Sequence, residues 1–150
     1  MGGYWQVEFL RKVSPTHYKP ATRLVMAGAF KANEKGDPLS FYQKQEFMTP
    51  SVVLKHLQTN PMPSGDISGM LFLGDHVFTS GSLISPVFDG HLEEHKVHPW
   101  GEYHASLSGV TYEKATELAG IINTLLIQNQ ISEPIPGQIK SKFLSNPLVI

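Results

Sequence analysis

Cysteine is absent from this chain of 150 residues. That absence excludes disulfides, thiolate zinc sites, thiol nucleophiles and cysteine-held iron–sulfur clusters. Charge is scarce as well: 17% of the residues are Asp, Glu, Lys or Arg, and the formal net charge is −1. Such a chain has no global field to draw it to nucleic acid or to an anionic membrane. No local cluster replaces that field, because Lys12, Lys19 and Arg23 are scattered and form no stripe. Long apolar runs are missing too. The stretch from Ile121 to Ile127 is broken by Asn123 and Thr124 and falls well short of the roughly 20 residues that span a bilayer. The first residues, Met1 to Trp5, lack a basic segment followed by an apolar one, so no secretory signal is expected. Walker, dinucleotide and nucleophile-elbow patterns are also lacking. The expectation is a cytoplasmic protein that neither binds nucleic acid nor enters a membrane. Low charge fits a buried interface, so a protein partner or homo-oligomer is expected.

What is present suffices for a core. The apolar fraction is 41%, and a chain of this length buries enough surface to fold without staples. Residues 1–150 are expected to form a single domain. Trp5, Val7 and Phe9 alternate with polar residues in a strand over Tyr4 to Val13. Arg23 to Ala32 reads as a second strand with apolar residues on both faces. Leu39, Phe41 and Phe47 share one face of a third. Thr49-Pro50 is a helix start, with Thr49 as N-cap, and that helix buries Val53, Leu54 and Leu57 before stopping at Asn60-Pro61. Gly74-Asp75, between the apolar runs Met70–Leu73 and His76–Thr79, predicts a hairpin. Glu102 to Ser108 predicts another strand, with Glu102, His104, Ser106 and Ser108 on a polar face opposite Tyr103, Ala105 and Leu107. The spacing of Ala115, Leu118, Ala119, Ile122, Leu125 and Leu126 predicts a long helix over 112–129. A last short helix is expected over Gln138 to Ser145. Strands come in groups, which predicts an α+β fold: a mostly antiparallel sheet of five or six strands with the long helix on one face.

The chemistry-bearing stretch is His91-Leu92-Glu93-Glu94-His95-Lys96-Val97-His98-Pro99-Trp100-Gly101-Glu102-Tyr103-His104. It holds four of the seven histidines. Imidazole and carboxylate are ligands of divalent metals and the common acids and bases near neutral pH. Residues 91–95 spell H-x-x-E-H, which resembles the inverted zincin motif. That resemblance implies a zinc ion held by His91 and His95, with Glu94 as the base for a bound water; a third ligand is required, for which His98 at i+7 on the same face, Glu117 and His104 are the candidates. The motif needs a helix, and Gly90 and Pro99 limit this stretch to roughly two turns. Gly90, His95, His98, Glu102 and Gly109 follow the residue order of the first cupin motif, but with two residues between the histidines instead of one, and the second cupin motif is absent because no histidine follows His104. His104-Ala105-Ser106-Leu107 resembles one half of the two-histidine phosphoesterase pattern, and no other histidine is followed by Ser or Thr two residues on. His104 therefore remains a lone candidate acid or base. Trp100, beside the histidines, is a candidate contact anchor. Two functions follow: a non-enzymatic binding or interaction module, or a small metal-dependent hydrolase using Glu94 and His104 with zinc on His91, His95 and His98.

Overall fold

The computed structural model describes residues 7–61 and 68–136. The strand expected from Tyr4 therefore lies partly outside the described residues, Trp5 included, and the helix expected over Gln138 to Ser145 lies wholly outside them. Six strands form one antiparallel sheet. In spatial order they are β6 (Val87–Phe88), β7 (His104–Leu107), β4 (Leu39–Gln43), β1 (Glu8–Val13), β5 (Gly69–Gly74) and β8 (Ile135–Pro136). Two short strands, β2 (Tyr18–Lys19) and β3 (Leu24–Val25), pair apart from it. The helices are α1 (Pro50–Thr59), α2 (Asp75–Ser80) and α3 (Tyr112–Ile127). This is the α+β class that the grouping of strands predicts.

Alternation along β1 sorts the two cores. Phe9 and Val13 join the larger one, where α3 lays Ala115, Leu118, Ile122 and Leu126 on the sheet. Phe9, Phe41 and Phe78 meet there edge to face, with ring centroids 5.6–6.5 Å apart. Arg11 points to the same face. Its guanidinium donates to the carbonyls of Ala29 and Ser40 and lies over the Phe41 ring. Burial lowers its pKa to about 10, so it stays charged at neutral pH. On the opposite face Leu10 and Met70 pack against Met48, Val53 and Leu57 of α1 and the segment before it. The sheet is thus covered on both faces, by α3 on one and by α1 on part of the other. The rest of that second face carries Ser40, Tyr42, His104 and Ser106, and an irregular segment from Asp89 to Tyr103 lies across it.

The starts of α1 and α3 follow from hydroxyl caps. Thr49 accepts from the Val52 N–H with Pro50 in the first turn, and Thr111 accepts from the Lys114 N–H. Four local expectations need correction. Gly74-Asp75 is no hairpin turn: β5 runs directly into α2, with Asp75 in the first turn. A carboxylate is favoured there by the helix dipole. Val77 and Phe78 enter the same core, which neighbours on a helix can do and neighbours on a strand, pointing to opposite faces, do not. The strand expected over Arg23 to Ala32 is reduced to Leu24–Val25, because Ala27–Phe30 close into a 3-10 turn. Its small residues tuck that turn under α3, which accounts for apolar side chains on both apparent faces. Phe47 lies beyond the end of β4 and is exposed. The strand expected from Glu102 begins only at His104, since Gly101–Tyr103 form a 3-10 turn. Among the described residues, no helix is long and apolar enough to cross a membrane.

Candidate metal centre

The polar row expected on the last strand is where the candidate site lies. Register pairs His104 with Tyr42 and Ser106 with Ser40, so these side chains share the face that α1 leaves open. On the other side of β7, β6 pairs Val87 with Ser106. The Asp89 N–H, one residue past β6, donates to the His104 carbonyl at 3.0 Å. That contact brings Asp89 beside both polar side chains. Asp89 Oδ1 lies 2.6 Å from His104 Nδ1, and Asp89 Oδ2 accepts from the Ser106 hydroxyl at 2.6 Å. Burial alone would raise the Asp89 carboxyl. The hydrogen bonds from Ser106 and His104, with the charge of His104 and His95 nearby, outweigh it and hold the carboxyl below its ordinary value. His104 is buried. With its proton on Nδ1 towards Asp89, it keeps a lone pair on Nε2.

His95 completes the group. Its ring stacks on His104 at 3.9 Å between centroids, 15° from parallel. His95 Nε2 lies 3.4 Å from Asp89 Oδ2 and 3.8 Å from Glu94 Oε1, and it is buried without a hydrogen-bond partner. One ligating atom each from Asp89, His95 and His104 falls within 4.8 Å of the others. Two glycines shape the loop that delivers His95. A Cβ on Gly101 would overlap the His95 carbonyl, and one on Gly90 would overlap that of Glu102. Only bare backbone fits at either point.

The expected site residues separate. His95 and His104 converge on Asp89. Glu94 is exposed beside His95, and it lines an open cleft together with His98, Tyr42 and Ser40. His91 is exposed and turned towards Phe88, with ring centroids 5.9 Å apart. The helix that would have set His91 and His95 on one face is not formed, because only Glu93–His95 make a single 3-10 turn. Asp89 and the orienting role of Ser106 escape a reading of the sequence. Ser106 was legible as a neighbour of His104 on one strand face, whereas Asp89 is joined to them only by the pairing of β6 with β7. Trp100 does not stand free: it stacks on His56 at 3.7 Å, 4° from parallel.

No family model, no curated protein and no solved structure matches this chain. The site is therefore read from its own chemistry.

Proposed function

We propose that this protein binds a divalent transition metal, zinc by its ligand chemistry, at Asp89, His95 and His104, and that it is a small metal-dependent hydrolase. The observation that carries this is the pair formed by Asp89 Oδ2 and the partnerless, buried His95 Nε2, 3.4 Å apart. Two ligands about 2.0–2.2 Å from one tetrahedral zinc stand about 3.3–3.6 Å apart, so this pair already has the length of a ligand edge. His104 Nδ1, at 2.6 Å from the same carboxylate, is too close to be a second edge and has the length of a charge-assisted hydrogen bond. Stacked rings also hold their in-plane lone pairs side by side. His104 therefore joins the ion after its ring turns about χ2, or remains a donor that orients Asp89.

Two or three protein ligands leave a position open to the cleft, as hydrolytic zinc sites do. A bound ion supplies Lewis acidity and a water of lowered pKa. Glu94, whose Oε1 lies 3.8 Å from His95 Nε2, would act as base towards such a water, and the Ser106 hydroxyl donates to Oδ2, the Asp89 oxygen that would hold the ion. Metal content of untagged protein is the test. Stoichiometric zinc is expected in the wild type, in Glu94→Gln and in His91→Ala, and loss of it in Asp89→Ala and His95→Ala/His104→Ala. A wild type that takes up no zinc on dialysis, or a His91→Ala variant that loses it, overturns the reading.

An interaction role has its own support. Ile84, Val87, Phe88, Leu92 and Val97 are all exposed, at 77%, 63%, 46%, 41% and 79%. Val87 and Phe88 form β6, which among the described residues is an edge strand of the sheet, and the other three lie within ten residues of it along the chain. Exposed apolar side chains beside an unpaired strand edge suit pairing with a second copy of the chain. A cytoplasmic setting is compatible with both roles.

A further inference from the structure

Next to the Asp89 cluster a second cleft opens, lined by Lys12, Tyr42, His56, Asn60 and His98. Tyr42 and His98 also line the first cleft, so the two adjoin. The polar groups of the second cleft are donors in search of an acceptor. The Asn60 side-chain nitrogen donates to the His56 carbonyl at 2.9 Å and to the Thr59 hydroxyl at 3.0 Å, which fixes how the amide is turned. The same nitrogen lies 3.4 Å from His56 Nδ1. An amide nitrogen only donates, so the tautomer with its proton on Nε2 is the one that suits this contact. That Nε2–H is buried and has no partner. The Lys12 ammonium makes one long contact, 3.4 Å to the Asn60 carbonyl, and lies 6.0 Å from the centre of the Tyr42 ring. Burial depresses its pKa, and no carboxylate among the described residues offsets that. The Tyr42 and His56 rings line the cleft edge to face, and the Trp100 ring stacks on His56.

We propose that this cleft is an anion-binding subsite, in which the Lys12 ammonium and the His56 Nε2–H receive the carboxylate or phosphate group of a ligand whose reacting end lies at Asp89, His95 and His104. A neutral carbonyl would satisfy the hydrogen bonds and leave the ammonium uncompensated; an anion does both. The anion would meet Lys12 first and reach the buried His56 Nε2 as the His56–Trp100 stack turns towards it. The role of the reacting end rests on the metal reading above, whereas the anion subsite stands without it.

The test titrates zinc-free protein at pH 7 with sodium phosphate, and separately with sodium acetate, while the His56 ring and Trp100 indole resonances are followed by NMR. Saturable shifts are expected, with a dissociation constant on the order of millimolar. Saturation by phosphate alone assigns a phosphoryl ligand, by acetate alone a carboxylate, and by both a site for either. Lys12→Met should weaken binding about tenfold or more, the value of one charge-assisted hydrogen bond, and Lys12→Arg should restore it to within about threefold. His95→Ala/His104→Ala should bind as the wild type does. Should Lys12→Met fail to fold, His56→Phe keeps the stack on Trp100, removes the donor, and must weaken binding in the same direction. Absence of saturation with either anion, or unchanged binding in the folded Lys12 or His56 variants, overturns the proposal. Zinc content is measured separately, so a chain that binds anions but never zinc retains this subsite and loses only the metal.

Discussion

His56 is buried under Trp100 and beside Tyr42, and burial, then the charge of Lys12, lowers its pKa to about 4. An unfolded histidine titrates near 6.5. Between those values the unfolded chain holds a proton that the folded chain refuses, so stability falls as the pH drops from about 6.5 to about 4 and this contribution levels off below. The loss amounts to at most about 3 kcal/mol. Asp89 acts in a separate window: its depressed carboxyl stabilises the fold above the ordinary value of 3.8 and loses that contribution only at lower pH. Denaturant midpoints at pH 7 and pH 4.5 should therefore differ more in the wild type than in His56→Phe, which keeps the stacked ring. Equal pH dependence in the two would mean that His56 is not held neutral by burial. At this scale the candidate site was half legible. His95, His104 and the polar row on one strand face could be read directly. Asp89 could not, because its partners stand 15 and 17 residues away, across a strand pair of which one member is two residues long.

Among the elements, α3 is the one whose periodicity speaks without ambiguity. Leu118 and Ile122 are fully buried against the sheet. Truncating such a side chain loses its transfer free energy and leaves a cavity, so Ile122→Ala should cost roughly 2–5 kcal/mol by chemical denaturation. A loss below about 1 kcal/mol would mean that the helix can close over the gap or packs less tightly than described. The contrast with α2 shows why other elements were misread. Short apolar runs on either side of Gly74-Asp75 fit a strand pair and a strand–helix junction equally well, and only the neighbouring helix decides. Here α2 contacts both α3 and β5, and Val77 and Phe78 enter one core together. Local propensity has no information on that third partner. The same holds for Ala27–Phe30, whose turn exists because α3 lies over it.

At the scale of the molecule, the sheet ends among the described residues at β6 on one side and at β8 on the other. The apolar side chains around β6 should bring two copies together. Sedimentation at micromolar concentration is expected to show a dimer that Val87→Lys returns to monomer, since a lysine on an edge strand opposes edge pairing. A wild type that sediments as a strict monomer removes self-association. The division of the site between frame and roof has a kinetic consequence. His104 and Ser106 belong to β7 and Asp89 is held to it one residue past β6, whereas His95 and Trp100 arrive on a loop that is closed on itself by two close glycine contacts. A loop can lift by local opening, at a free energy far below that of global unfolding. Anything held between strand and roof would then be trapped or released by that lift alone. Its residence time would be set by how often the roof opens, and the sheet would keep its hydrogen bonds throughout.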